Sequence, residues 1–177
     1  KMNSRQPNLP QLDLGPFLLC EPGVRAPKPR PLNTPQGLGD RMRTAAFAEW
    51  QAIAAFGWAA ERFTDVPEEL RRDWLSQVAD EARHYNLIRR RMEELGVALS
   101  GRPVSDALWA SLKQCATGKE FCLRIVSAEE RGSRAAIKIC ASLTEKDPET
   151  AAIFQEIADD EVAHVSLAET YFGWSPD

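Results

Sequence analysis

The chain has 177 residues, which is enough for one domain with a sizeable hydrophobic core. Its formal net charge is −4, so the overall charge does not favour a nucleic-acid-binding protein. No apolar run approaches the ~20 residues that a membrane-spanning helix needs. The four cysteines lack the CxxC spacing of a zinc ribbon or rubredoxin centre, and nothing suggests a secreted disulfide framework. A reducing cytoplasm is therefore the expected location.

The first 40 residues are rich in proline and glycine and include the stretch EPGVRAPKPRPLNTPQGLG. Proline can neither donate to a strand ladder nor occupy a helix interior, so residues 1–40 are predicted to form an extended arm on the remaining domain, residues 41–177. After Asp40, apolar residues return every three or four positions. This spacing predicts a first helix over 41–63 with Asp40 as its N-cap.

The second helix is predicted to begin at DVPEEL, with Asp65 as N-cap and Pro67 in the first turn. Gly96 is a typical residue just past a helix end and marks where this helix stops. A long crossover follows, and it is predicted to hold a short helix over 106–114.

The third long helix is predicted over 117–143. The fourth should begin with Asp147 as N-cap and Pro148 in the first position, and Gly173 should end it. No run of alternating branched residues predicts a strand. The expected fold is therefore all-α: a ferritin-like four-helix bundle with a long crossover between helices 2 and 3 and a Pro-rich N-terminal arm.

Both histidines of the chain lie in the same five-residue setting, DEARH over 80–84 and DEVAH over 160–164. In each motif a Glu precedes the His by three residues, which places both side chains on one face of a helix. A repeat that uses every histidine of the chain indicates a duplicated structural unit or a shared chemical role.

Each long helix also carries one Glu near the centre of its apolar stripe: Glu49, Glu81, Glu129 and Glu161. Buried carboxylates that face one another repel, and two divalent cations would balance their charge. The spacing within each helix pair is 32 residues (81 − 49 and 161 − 129), which predicts a repeated helical hairpin. Glu130 is a rival for Glu129, but both the apolar stripe and the spacing favour Glu129.

The predicted metal ligands are therefore Glu49, Glu81, His84, Glu129, Glu161 and His164. Oxygen ligands with one imidazole per metal suit iron or manganese, so the expected cofactor is two iron ions, with Mn–Mn and Mn–Fe pairs as alternatives. Asp80 and Asp160 are predicted to accept a hydrogen bond from a ligand imidazole and to fix its orientation.

Small or apolar side chains near the four glutamates could leave room for O2 and a substrate, although the same residues would equally serve close helix packing. This predicted pocket comprises Ala45, Ala46, Ala52, Ile53, Ile125, Gly132, Ser133 and Ala136.

The order Glu … Glu-x-x-His … Glu … Glu-x-x-His resembles the ferritin-like di-iron carboxylate proteins, which include bacterioferritins, rubrerythrins, di-iron oxygenases, desaturases and a tRNA hydroxylase. DEARH is similar to the Asp-Glu-x-Arg-His motif of di-iron oxidases and desaturases. The blocks EWQAIAAF, VADEARHYNLIRRRMEELG, AEERG and IADDEVAHVSLAETYF resemble a bacterial ferritin-like family of unknown function, over residues 25–173. Members of that family often carry His two residues before the first-helix Glu, where this chain has Phe47.

The resemblance and the predicted site together imply an O2-activating oxygenase or oxidase. O2 would be its co-substrate, the substrate a small organic molecule, and the electrons would come from an external donor. The alternatives are an iron-storing ferroxidase, a peroxide-detoxifying ferritin-like protein and a tRNA-modifying hydroxylase. The protein is expected to be a cytoplasmic monomer or homodimer with neither a membrane nor a nucleic-acid partner.

Overall fold

The computed structural model describes residues 11–176, and this range contains five helices. They are α1 (Pro35–Arg62), α2 (Glu68–Glu94), α3 (Ala107–Leu112), α4 (Gly118–Leu143) and α5 (Pro148–Phe172). α1 packs along α2 and α4 packs along α5, and the two hairpins meet mainly through α2 and α5. The long connection from α2 to α4 carries α3. The predicted all-α bundle with a crossover between its second and third long helices is confirmed.

The first helix begins at Pro35, so the prediction that it starts at residue 41 with Asp40 as N-cap is wrong. Thr34 is the N-cap, and its hydroxyl accepts a hydrogen bond from the Gly37 N–H at 3.0 Å. Asp40 lies inside the helix, where it is buried and accepts hydrogen bonds from Arg30 at 2.7 and 2.9 Å. Thr34 and Pro35 therefore determine where α1 begins, and the Asp40 carboxylate instead forms an ion pair with Arg30.

The start of α2 also differs from the prediction. Asp65 does not cap α2; its carboxylate accepts the N–H of Gly118 at the beginning of α4, at 3.2 Å. The N-cap position of α2 is Pro67, which makes no side-chain capping bond. The predicted ends of α5 are confirmed, because Asp147 accepts the Thr150 N–H and Gly173 closes the helix with a φ of +63°.

The described part of the arm packs against the bundle and the crossover, while the prediction for residues 1–10 lies outside the described range. Phe17 is buried with its ring centroid 4.7 Å from that of Phe47. Leu19 and Val104 form a parallel bridge. The Val104 carbonyl accepts the Cys20 N–H at 2.9 Å, so backbone pairing joins the arm to the crossover.

Two apolar clusters fill the bundle, one towards each end. Phe56, Trp74 and Phe121 belong to one cluster, and Phe47 and Phe154 belong to the other. On each long helix a glutamate lies between the segments that enter the two clusters. None of the described helices is long and apolar enough to cross a membrane.

Candidate metal centre

The four glutamates lie at mid-bundle and differ in depth. Glu81 on α2 and Glu161 on α5 expose only 1% and 6% of their side chains. Glu49 on α1 and Glu129 on α4 expose 13% and 9%. The carboxylates of α2 and α5 are therefore innermost, and those of α1 and α4 lie closer to the surface.

Side-chain oxygen and nitrogen atoms converge within 4.8 Å of one another in two adjacent groups. The first group is Glu49, Glu81, His84 and Glu161, and the second is Glu81, Glu129, Glu161 and His164. Glu81 and Glu161 belong to both groups, so each could bridge two ions while the other residues each hold one. Shared carboxylates between adjacent positions are what a dinuclear centre requires.

Both imidazoles direct Nδ1 at the two inner carboxylates. His84 Nδ1 lies 3.3 Å from Glu81 Oε2 and 3.6 Å from Glu161 Oε1. His164 Nδ1 lies 3.0 Å from Glu81 Oε1 and 3.5 Å from Glu161 Oε2. The structure thus brings the six residues together in a nearly two-fold arrangement, and their role as ligands stays a prediction.

The other ring nitrogen of each histidine faces an aspartate of the opposite motif. His84 Nε2 lies 2.9 Å from Asp160 Oδ2, and His164 Nε2 lies 3.2 Å from Asp80 Oδ2. When Nε2–H donates to the aspartate, the Nδ1 lone pair faces the carboxylates, which is the tautomer that a metal needs. The two motifs therefore orient each other's histidine across α2 and α5.

The donor set fits a pair of cations. Several of its buried atoms have no hydrogen-bond partner among the described residues: both oxygens of Glu129, Oε1 of Glu81, Oε2 of Glu161 and Nδ1 of His164. His164 Nδ1 is close to Glu81 but lacks hydrogen-bond geometry. Buried polar atoms are normally satisfied, so these unpartnered atoms are available as ligands for metal ions.

A family model described as "Protein of unknown function (DUF455)" matches residues 3–176. The chain belongs to this family. No curated protein matches it. One similar solved structure is the bacterioferritin-related protein from Bacteroides fragilis, described as a dodecameric thioferritin. It aligns with a TM-score of 0.67 at 21% identity, over 79% of this chain and 86% of that chain. The predicted ferritin-like fold is thereby confirmed.

Without metal, this DUF455 chain must place protons among its buried carboxylates. Burial, reinforced by the Glu81 carboxylate, raises the pKa of Glu49 well above its usual value. Burial and the Glu161 carboxylate do the same for the pKa of Glu129. Burial alone would also raise the pKa of Glu81, but the adjacent imidazoles of His164 and His84 lower it. Of the four carboxylates, only Glu81 is therefore favoured to ionise, whereas the raised pKa values of Glu49, Glu129 and Glu161 favour their protonated forms.

The histidines respond in the opposite sense. Burial disfavours the imidazolium, yet the adjacent Glu161 and Glu81 carboxylates raise the pKa of His164 to about 11. Hydrogen bonds to Glu81 and Asp160 likewise outweigh burial and raise the pKa of His84. In the metal-free centre, bound protons thus supply the positive charge that divalent cations would otherwise supply. Metal binding should release these protons.

The predicted pocket residues differ in burial, and their role as a pocket stays a prediction. Ala46, Ala52, Ile125 and Ala136 are buried within the two apolar clusters. Ala45 and Ile53 are partly buried against one cluster. Ser133 is partly buried and Gly132 is exposed, one turn beyond Glu129. A Cβ added at Gly132 would meet no atom within 4 Å, so the surface beside Glu129 is open there.

The sequence interpretation missed Arg83, the basic residue of DEARH. Its guanidinium pairs with Asp160 and Glu156, and its Nη2 lies 3.5 Å from His84 Nε2. The available signal was the single difference in charge between the two motifs, since DEVAH has Ala163 at the matching place.

Proposed function

We propose that this protein is a di-iron oxidoreductase that activates O2. The observation that carries the proposal is the pair of four-residue groups that share Glu81 and Glu161. Four carboxylates can balance two divalent cations, and one imidazole completes each group. Asp80 and Asp160 lie where they would hold the imidazole tautomers that the ions require.

Two iron(II) ions bound here would supply two electrons to O2 within one cavity. The residues of the chain would exclude bulk water, because the apolar clusters close the bundle on both sides along its axis. Glu81 and Glu161 belong to both groups and would help to hold both ions. An external reductant, either a redox protein or a small donor, would return the centre to its reduced state.

A small organic substrate is the second part of the proposal, and we infer that it approaches between α1 and α4. These helices meet over only a short stretch, whereas α2 and α5 pack together at the opposite side of the centre. Glu49 and Glu129 are the more exposed carboxylates, and the exposed Gly132 leaves the surface beside Glu129 open. A molecule entering there would reach the outer carboxylates first.

A ferroxidase is the second candidate function, with iron as substrate. The observation that favours it is the fold shared with the Bacteroides fragilis protein, which is described as a dodecameric thioferritin. An assembly of that kind would replace the monomer or homodimer expected from the sequence.

The test begins with the full chain loaded with iron(II) under argon. Both candidates require about two bound ions per chain. Excess iron(II) is then added with O2, and iron retention and particle size are measured. A ferroxidase store retains far more iron than two ions per chain in a large assembly, whereas the proposed oxidoreductase retains only its pair. A Glu81→Ala, Glu161→Ala double variant serves as control. If the wild-type chain binds no more iron than this control, the proposed function is refuted.

A further inference from the structure

One of the differences between the two halves of the chain is a charged residue beside the candidate metal centre. Ligands and aspartates of the second hairpin follow those of the first by 80 residues (129 − 49, 161 − 81, 164 − 84 and 160 − 80). By the same offset, Arg83 corresponds to Ala163, an exposed alanine on α5. At this position, therefore, the His84 half carries a cation and the His164 half does not.

Arg83 lies at the edge of the His84 imidazole that faces away from the glutamates. Its Nη2 contacts the Asp160 carboxylate and lies 3.5 Å from His84 Nε2, while its Nη1 contacts Glu156. Glu156 is 51% exposed, so water and salt screen its charge. The guanidinium is 43% exposed and is screened as well, but it is in direct contact with the His84 and Asp160 pair.

Asp80 has no comparable partner. It lies 3.2 Å from His164 Nε2 and is 47% exposed. Within residues 11–176, no lysine or arginine forms an ion pair with it. Water partly screens Asp80, but its contact with the His164 imidazole is not shared with a guanidinium, whereas Asp160 contacts both His84 and Arg83. An aspartate that is not shared makes its imidazole the more basic ligand.

We propose that the two metal positions bind divalent cations with unequal affinity, and that Arg83 sets the difference. The position of Glu129 and His164 is the tighter one and fills first. The position of Glu49 and His84 is weaker, because the guanidinium repels a cation there and withdraws charge from Asp160. This inference rests on the proposed dinuclear centre and adds an order of loading to it.

The first experiment measures Mn²⁺ binding to the metal-free full chain by calorimetry and by the EPR signal of free Mn²⁺. Two steps are expected, separated by about tenfold or more in affinity, since partners of ligand histidines typically change metal affinity by about 10- to 100-fold. His164→Ala should remove the tighter step and His84→Ala the weaker one. Equal steps, or the reverse assignment, would overturn the inference. A wild-type chain that binds no Mn²⁺ would instead refute the proposed centre itself.

The second experiment alters the cation. Arg83→Gln should strengthen the weaker binding step and so reduce the difference in affinity between the two steps. Arg83→Lys should preserve that difference. Ala163→Arg places a cation at the matching exposed position and should weaken the tighter binding step. This variant tests the effect of the cation even if the Arg83 variants fold poorly. Arg72→Gln removes an exposed charge elsewhere on α2 and should change neither step. If Arg83→Gln instead weakens the His84 position, Arg83 only supports the fold and the inference is wrong.

Discussion

Replacement of Glu129 by glutamine should stabilise the metal-free protein and abolish metal binding at the His164 position. Both carboxylate oxygens of Glu129 are buried without a hydrogen-bond partner among the described residues. Burial and the neighbouring Glu161 carboxylate raise the pKa of Glu129. Glutamine keeps the shape of the side chain and is uncharged at every pH, so the variant removes the cost of neutralising or burying this carboxylate.

The size of the effect depends on pH. A carboxyl whose folded pKa is raised costs nothing at low pH, and stability is lost as the pH rises from the unfolded pKa through the folded one. From the reference pKa of 4.5, each pH unit can cost at most about 1.4 kcal/mol, which limits the loss to about 0.7 kcal/mol at pH 5 and about 5 kcal/mol at pH 8. Because the charge of His164 acts in the opposite direction, we expect a gain of about 1–3 kcal/mol at pH 8.

Thermal and urea unfolding of the metal-free chain at pH 5 and pH 8 would measure this gain. For a chain of this size, 1 kcal/mol corresponds to a shift in Tm of about 2–4 °C. Glu130→Gln is the matched control, because Glu130 pairs with Arg134 at the surface and its loss should cost less than about 0.5 kcal/mol. A Glu129→Gln variant that is less stable than wild type at pH 8, or a gain that does not grow between pH 5 and pH 8, would refute a buried, mutually repelling cluster.

Three further outcomes are expected. His84→Ala and His164→Ala should each retain a helical circular dichroism spectrum and bind about one Mn²⁺ per chain where wild type binds about two; full occupancy in either variant would contradict the ligand assignment. Metal should raise the Tm more at pH 8 than at pH 5, because the metal-free centre loses its stabilising protons as the pH rises; equal increments would show that the glutamates do not share one cavity. Asp40→Ala should lower the free energy of unfolding in urea by about 3–5 kcal/mol, because Arg43, with a side chain only 6% exposed, loses its ionic partner. Glu68→Ala breaks an exposed ion pair and should cost less than about 0.5 kcal/mol, and equal losses in these two variants would argue against a buried network.

The helix ends that could be predicted from the sequence are those determined by local chemistry. Asp147 and Gly173 act within a few residues of themselves, and both predictions are confirmed. Asp40 and Asp65 have the same local appearance as caps, but each meets a partner far along the chain. Asp40 binds Arg102, 62 residues away, and Asp65 binds a backbone N–H 53 residues away. The sequence does not show whether such a carboxylate caps a helix or binds a distant group, because that partner is fixed only when the helices pack together.

The convergence of six candidate ligands was predictable because helical periodicity and the repeat spacing both place them on inward faces at one level of the bundle. The pairing of each motif's aspartate with the histidine of the other motif could not be predicted. Asp160 precedes a ligand on its own helix, yet its partner is His84 on α2. That pairing depends on how α2 and α5 cross, and so does the position of Arg83 against the same imidazole.

The centre also joins the two hairpins, which share two apolar clusters but bring their backbones close together over only short stretches. α1 runs along α2 and α4 along α5, but α1 and α4 touch only briefly. Each candidate metal position draws its side chains from both hairpins, so a bound ion is a reversible cross-link between them. At a free-ion concentration of 100 times the Kd, one such ion would add about 2.7 kcal/mol to the docking of one hairpin on the other. Amide hydrogens where α2 meets α5 should therefore exchange faster after metal removal, while those within each hairpin stay protected.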